Sequence, residues 1–146
     1  MYKRCKFMKQ SQQFFAEYVQ LYRPLLNRLN NLLAPYQLFH SQWGILKLLR
    51  IDGEMTSAEI AIRRQVEKPS VTKIVQRLLE MGLVSIRPGT DRREKWIGLT
   101  EQGQVTVANI MADLEVFYED LLKGASEEDL EAGIRILQLA NKNLHK

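Results

Sequence analysis

The sequence predicts a mainly α-helical fold that contains one small β-hairpin. Apolar residues recur every three or four positions over most of the chain, which is the spacing of one face of a helix. The exception runs from Val84 to Leu99, where apolar and polar residues alternate on both sides of a Pro88-Gly89 turn, as in two paired strands. A chain of 146 residues that is 45% hydrophobic can bury one core, so we expect a single domain.

The segment before the hairpin is an amphipathic helix with a signal at each end. Pro69 suits the first helical position, and Gly82 suits the left-handed position just after the last turn. One face is apolar and is predicted to be buried; it consists of Val71, Ile74, Val75, Leu78 and Leu79. The opposite face carries side chains of the types that hydrogen-bond to base edges and phosphate oxygens, namely Ser70, Thr72, Lys73, Gln76 and Arg77.

The connection between the two strands is longer than a tight turn and carries two adjacent arginines, Arg92 and Arg93. A helix followed by a hairpin with a basic tip is the outline of a winged helix-turn-helix. The other helix of the pair begins at a capping box in which Thr56 and Glu59 satisfy each other's backbone amides. It buries Ile60, and residues 64–68 form the turn between the two helices.

Long helices are predicted at both ends of the chain. The first keeps its apolar stripe from Gln12 to Leu33 with Pro24 inside it, so we expect a bend or a break near Leu21. Ser41 is the predicted N-cap of the next helix, which ends at Asp52-Gly53.

After the hairpin, Thr100 caps one long helix, and Ser126 caps the last one. The helices at both ends of the chain have more apolar surface than a compact winged helix could cover. This surplus predicts a helical dimer interface.

Charge is distributed unevenly along the chain. Residues 60–95 contain nine Lys or Arg against four acids, whereas residues 101–146 contain four basic against nine acidic residues. A polyanion would be attracted to the first segment and repelled by the second, so we expect the two on different sides of the molecule.

Composition excludes several classes. The only cysteine, Cys5, allows no intramolecular disulfide, and we interpret it as an exposed thiol without a redox role. No apolar run follows the basic N-terminus, so we expect no signal peptide, no membrane span and a cytoplasmic protein. No Cys or His lies at metal-ligand spacing from His40, and neither a Gly-rich phosphate loop nor a nucleophile elbow is present, so we expect no metal, no cofactor and no catalysis.

From about Phe14 to Leu144 the chain resembles the MarR family of transcription regulators. The resemblance is carried by three segments in the same order and spacing: Leu78-Leu79-Glu80-Met81-Gly82-Leu83-Val84, Asp91-Arg92-Arg93, and Leu99-Thr100-Glu101-Gln102-Gly103. In that family they are the end of the recognition helix, the wing tip and the cap of the fifth helix.

The resemblance implies an obligate homodimer in which the first, fifth and sixth helices of two chains intertwine and two winged helices bind a palindromic site on double-stranded DNA. Residues 36–99 would form the winged helix-turn-helix, and residues 10–35 with 100–146 the dimerisation part. The recognition helix would contact DNA through Lys68, Pro69, Ser70, Thr72, Lys73, Gln76 and Arg77. The wing would contact it through Asp91, Arg92, Arg93 and Lys95, with one arginine in the minor groove and Asp91 paired to the other.

The family also implies repression released by a small aromatic or anionic effector. Tyr22, His40 and Trp43 are candidates for such a site, although aromatic residues at helical spacing also form ordinary cores. One alternative function stays open: a winged helix that binds another protein and does not read DNA directly.

Overall fold

Helices dominate the computed structural model, which describes residues 9–91 and 93–146. Within that part of the chain, the helices are α1 (Gln10–Leu33), α2 (His40–Asp52), α3 (Ser57–Arg64), α4 (Lys68–Glu80), α5 (Glu101–Leu121) and α6 (Glu127–Leu144). The strands are β1 (Met55–Thr56), β2 (Val84–Pro88) and β3 (Lys95–Leu99). The predicted mainly α fold with a small hairpin is confirmed.

The strands form one antiparallel sheet in the order β1-β3-β2. The predicted hairpin has the register Val84 opposite Leu99 through Pro88 opposite Lys95. The short β1 adds a third strand on the other edge of β3, with Met55 opposite Ile97. This strand was not predicted from the sequence.

Contacts divide the chain into two compact units, one extending to Met111 and the other running from Ala112 to Lys146. The first unit has an apolar core to which α1, α2, α3, α4, β3 and α5 each contribute a fully buried side chain: Leu33, Leu46, Ile60, Leu78, Ile97 and Ile110. In the second unit, the hydroxyl of Ser126 accepts a hydrogen bond from the Asp129 amide at 3.0 Å, as predicted for the cap of α6. The division into DNA-binding and dimerisation parts stays a prediction.

Helix α4 follows the sequence prediction closely. Val71, Val75 and Leu78 of the predicted apolar face are buried, whereas its other two residues, Ile74 and Leu79, are half-buried. Gly82 has the expected left-handed conformation with φ +76°. The helix begins one residue earlier than predicted, so Pro69 occupies the second helical position rather than the first. An N–H in the first turn of a helix has no partner within it, so proline is tolerated at either position.

For the helices before β1, the structure narrows one sequence expectation and shows that another was wrong. Helix α1 is continuous across Pro24, so the predicted break near Leu21 is absent, and the alternative, a bend, stays a prediction. Ser41 lies inside α2, whose N-cap is Phe39. The helix starts early because Asn30 accepts a hydrogen bond from the His40 amide at 2.8 Å and Gln42 accepts one from the Phe39 amide at 2.9 Å.

The hydroxyl of Thr100 connects α4, β2 and α5. It donates to the Gly82 carbonyl at 2.6 Å and accepts from the Gly103 amide at 3.0 Å, which confirms the predicted cap. The Thr100 amide donates to the Leu83 carbonyl at 3.0 Å. Gly103 is buried against that same carbonyl, so that a Cβ at position 103 would overlap the Leu83 oxygen.

We therefore expect Gly103→Ala to lower the free energy of unfolding by about 1–3 kcal/mol, because the added methyl must displace rigid backbone rather than a side chain. Chemical denaturation at one fixed protein concentration measures the change. The control is Gln102→Ala, which alters an exposed side chain in the same turn and should shift the value by less than about 0.5 kcal/mol. Equal stability of both variants and the wild type would contradict the proposed close packing.

Candidate nucleic-acid interface

The polar face of α4 is exposed as predicted. All seven candidate residues, Lys68, Pro69, Ser70, Thr72, Lys73, Gln76 and Arg77, have exposed side chains. Six of them divide into two rows by helical spacing. Lys68, Thr72 and Gln76 border a cleft toward the hairpin, whereas the spacing of Ser70, Lys73 and Arg77 places them in a row beside it.

Two contacts within α4 bear on what these side chains can offer to a ligand. The Thr72 hydroxyl donates to the Lys68 carbonyl at 3.1 Å, which leaves its oxygen lone pairs free to accept a hydrogen bond. The Arg77 guanidinium pairs with the Glu80 carboxylate at 3.5 Å, and both side chains are about half exposed. An exposed pair at this distance contributes about 0–1 kcal/mol, so a phosphate or base could displace Glu80 from Arg77.

The tip of the hairpin is shaped by backbone hydrogen bonds. The Asp91 carboxylate accepts from the Arg93 amide at 3.2 Å, and the Asp91 carbonyl accepts from the Glu94 amide at 3.0 Å. The Gly89 amide in turn donates to the Glu94 carbonyl at 2.9 Å.

The resemblance to the family implied that Asp91 holds the tip through an ion pair with one arginine of the pair. For Arg93 the structure shows a different contact, because the carboxylate binds its main chain and not its guanidinium. Arg92 lies outside the described residues, so its part in the tip stays a prediction. The Asp91 bond would survive truncation of the Arg93 side chain.

Helix α4, the start of α3 and the hairpin enclose an open cleft of about 580 Å³. Its cationic lining residues are Lys68 on the helix and Arg93 and Lys95 on the wing. Glu59 and Glu94 also line it, so the cleft has a small cationic surplus among the described residues. The structure thus brings together some of the helix and wing residues that the sequence singled out separately, whereas Ser70, Lys73, Arg77 and Asp91 do not line this cleft.

The partners of two further arginines, Arg63 and Arg87, were not predicted from the sequence. Arg87 of β2 donates to Glu54, which immediately precedes β1, and Arg63 pairs with Asp52 at 2.8 Å. Asp52 is the last residue of α2, and Glu54 lies in the short segment between α2 and β1. No local sequence signal predicts either pair, because the partners lie 11 and 33 residues apart along the chain.

The three candidate effector residues have different surroundings. Trp43 is a core residue with 4% exposure, whereas Tyr22 is 50% exposed and lies beside Tyr18 with ring centroids 6.0 Å apart. His40 is half-buried, and its Nδ1 lies 3.3 Å from the Asn30 side-chain oxygen. An effector site at these residues stays a prediction.

Three further observations concern other classes of function. Residues 9–91 and 93–146 contain no group of three or more His, Cys, Asp or Glu side chains that could hold a metal ion. None of the helices in that part of the chain is both long and apolar enough to cross a membrane. Cys5, for which the sequence predicted no redox role, lies outside the described residues.

Comparison with known proteins places these features in a family. A model of the MarR family matches residues 37–94. The uncharacterised HTH-type transcriptional regulator YwoH of Bacillus subtilis (strain 168) is 39% identical over 110 residues, which are 75% of this chain and 80% of YwoH. An uncharacterised HTH-type transcriptional regulator of Staphylococcus aureus (strain MSSA476) is 27% identical over 93% of this chain and 95% of its own length.

Solved structures agree with the sequence relatives. The structure of Staphylococcus aureus MarR in complex with salicylate and kanamycin superposes with a TM-score of 0.86 at 26% identity and covers 95% of both chains. The transcriptional regulator BldR from Sulfolobus solfataricus shares the fold, with a TM-score of 0.78 at 22% identity over 91% of this chain and 99% of BldR. The helix-turn-helix, the basic wing and the likeness to these relatives all agree. The chain belongs to the MarR family of transcription regulators, which bind DNA and act as dimers.

Proposed function

We propose that this regulator binds a palindromic operator as a homodimer and represses transcription, with α4 in the major groove and the wing in the flanking minor groove. The observation that carries the proposal is the shared cleft, because Lys68, Thr72 and Gln76 of α4 line it together with Arg93 and Lys95 of the wing. A helix in one groove and a hairpin in the next must straddle the sugar-phosphate strand between them, and a cleft that contains two lysines and an arginine suits that strand.

Within α4 we assign the contacts with DNA bases to exposed side chains that are free to extend away from the helix. Among the described residues, Lys73 and Gln76 form neither an ion pair nor a side-chain hydrogen bond, and both are exposed. In the major groove, Gln76 can form hydrogen bonds with the edge of adenine, and Lys73 or Arg77 can form them with the edge of guanine. Lys68, Lys95 and the serine and threonine hydroxyls are assigned to phosphates.

The dimer is supported by apolar surface that the single chain leaves exposed. On α1, Phe15, Val19 and Leu21 are 53%, 66% and 51% exposed, and α6 exposes Ile134 and Leu139 by 47% and 60%. A dimer that covered these faces would place two copies of α4 about a two-fold axis, which explains why the proposed operator is palindromic.

A small aromatic or anionic effector is the proposed signal. The structure of Staphylococcus aureus MarR was solved in complex with salicylate, which is an aromatic carboxylate, and kanamycin. We propose that Tyr22, His40 and Trp43 belong to the effector site of this chain. Because its partner is genomic DNA, we place the protein in the cytoplasm.

Selection of bound sequences from a random DNA pool tests the function directly, and a palindromic consensus is the expected result. The alternative is a winged helix that binds another protein without reading DNA. Affinity for random duplex measured across salt concentrations separates the two, because phosphate contacts release counterions and make binding fall steeply with salt. Neither a consensus nor a salt-dependent affinity is expected from a protein-interaction module.

The first expectation is that the protein is a homodimer at micromolar concentration, since dimerisation would bury the apolar faces of α1 and α6. Light scattering should return about twice the chain mass of 17.0 kDa. A monomer mass at concentrations where DNA is bound would refute the two-fold mechanism.

Arg77→Ala should weaken binding to the selected operator by about 1–3 kcal/mol if the guanidinium contacts guanine, and should relax the base preference at one position in each half-site. Glu80→Ala is the matched control, because it removes the intrahelical partner of Arg77 and leaves the guanidinium in place. Fluorescence anisotropy titrations on the operator and on single-base variants measure both effects. Arg77 would be excluded from the interface if its alanine variant bound specific and random duplex like the wild type.

Replacing Arg92 and Arg93 together by alanine should weaken binding and reduce the preference for A·T-rich over G·C-rich flanks, because narrow A·T minor grooves attract inserted arginines. The slope of log affinity against log salt should flatten by roughly one unit for each phosphate that the variant no longer neutralises. Since Asp91 binds the Arg93 main chain, the tip should keep its shape in this variant.

The double lysine variant is the control for charge, because lysine keeps the cation without the planar fork of arginine. It should restore the salt slope but not the flank preference. If the double alanine variant is a folded dimer with wild-type affinity, slope and flank preference, then the hairpin is not a DNA-binding wing.

A further inference from the structure

Three side chains, those of Glu54, Arg87 and Trp96, meet on one face of the sheet. The Arg87 Nε on β2 donates to both oxygens of the Glu54 carboxylate, at 3.2 and 3.0 Å. The Arg87 guanidinium carbon also lies 5.5 Å from the centroid of the Trp96 ring on β3, within the range of a cation–π contact. Glu54, Arg87 and Trp96 therefore link the residue before β1 to the two wing strands.

Strand register explains why these side chains share one face. Arg87 and Trp96 are direct cross-strand partners, and Met55 opposite Ile97 places the preceding residue, Glu54, next to Gly98. Side chains alternate across a sheet, so Glu54, Trp96 and Arg87 lie opposite the buried face of Met55 and Ile97. Gly98 leaves the room for Glu54, since a Cβ there would lie 2.9 Å from the Glu54 Cγ.

The same face supports the turn into the wing tip. A Cβ on Gly89 would lie 2.8 Å from the Trp96 indole nitrogen and 2.7 Å from the Glu94 Cβ, so the turn packs directly onto this tryptophan. Gly89 and Glu94 close the loop that carries Arg93. The position of Trp96 therefore affects the loop that carries Arg93.

We propose that Glu54, Arg87 and Trp96 form a brace that fixes the wing relative to the helix-turn-helix, and that Glu54 is a positioning residue for the minor-groove contact. The inference rests on the proposed function, since it concerns how the wing reaches DNA. A two-stranded hairpin by itself is only marginally stable, so a third strand and a side-chain link to the helical body limit the positions of its tip. Arg87 is then a structural arginine, although it belongs to the basic stretch of the sequence.

The competing interpretation is that Arg87 binds a DNA phosphate and that Glu54 only holds it until DNA arrives. The two interpretations predict opposite signs for Glu54→Ala. A released Arg87 and one fewer negative charge would strengthen DNA binding. Loss of the brace would weaken it, because a mobile tip must be ordered when the complex forms.

The test measures affinity for two duplexes that share the selected operator and differ only in flanks, one A·T-rich and one G·C-rich. For Glu54→Ala we expect affinity for the A·T-flanked duplex to fall about three-fold, the effect of an exposed ion pair, with little change on the G·C-flanked duplex. Asp52→Ala is the matched control, because Asp52 also holds an exposed arginine, Arg63, at 2.8 Å but lies outside the wing. Asp52→Ala should leave the flank preference unchanged.

Glu54→Gln separates the hydrogen bond from the charge, because it removes the same charge as Glu54→Ala but keeps an oxygen that can accept from Arg87. The glutamine variant should retain most of the flank preference, and it decides the question if the alanine variant does not fold. Arg87→Lys should lose the preference, since lysine lacks the Nε donor and the planar guanidinium. The brace is wrong if both Glu54 variants bind as tightly as Asp52→Ala or more tightly.

Combination with the wing variant distinguishes failure of the brace from failure of the proposed function. In the Arg92/Arg93 double alanine background, Glu54→Ala should cause no further loss of flank preference, because the contact that it positions is already absent. If the double alanine change itself leaves affinity and preference intact, the wing mechanism fails. If only the Glu54 and Arg87 changes are silent, the wing mechanism stands and the brace does not.

Discussion

The arrangement of helix and wing depends on the hydrogen bonds of Thr100. Its hydroxyl joins the carbonyl that follows α4 to the amide that opens α5, and its own amide binds the Leu83 carbonyl at the start of the wing. Gly103 allows the first turn of α5 to approach that carbonyl, which a side chain would prevent. Helix α4, the hairpin and the start of α5 therefore meet at Thr100, which holds them together through hydrogen bonds.

Much of this junction could be predicted from the sequence, because its determinants are local. The Thr100 cap follows from a hydroxyl three residues before Gly103, and the left-handed Gly82 follows from glycine at the end of an apolar stripe. The inward face of α4 and the alternation of the hairpin are also local periodicities, which tertiary packing reinforced. Each of these features is signalled by residues within a few positions of it, so the local sequence is enough to predict it.

Features that depend on distant partners were not predictable in the same way. Strand β1 is only two residues long, and it exists because β3, about forty residues later, offers a free edge beside Met55. The start of α2 was misplaced for a related reason, since the amide of His40 is satisfied by Asn30 of the preceding helix rather than by a local cap. Asp91 gave a partial signal, because an aspartate in a turn commonly binds the backbone two residues ahead, and it does so here.

The charge count shows most clearly what tertiary structure adds to sequence. The basic surplus of residues 60–95 suggested one cationic surface, yet Arg63, Arg77 and Arg87 each have a carboxylate partner. Among the described residues, the cations of this stretch that line the cleft, Lys68, Arg93 and Lys95, form no ion pair. Part of the attraction for a polyanion therefore comes from the cleft between α4 and the wing, where the strand between two grooves would pass. Two of the neutralising acids, Asp52 and Glu54, precede the basic stretch in sequence, so neither the charge count nor helical spacing could show that their arginines are already engaged.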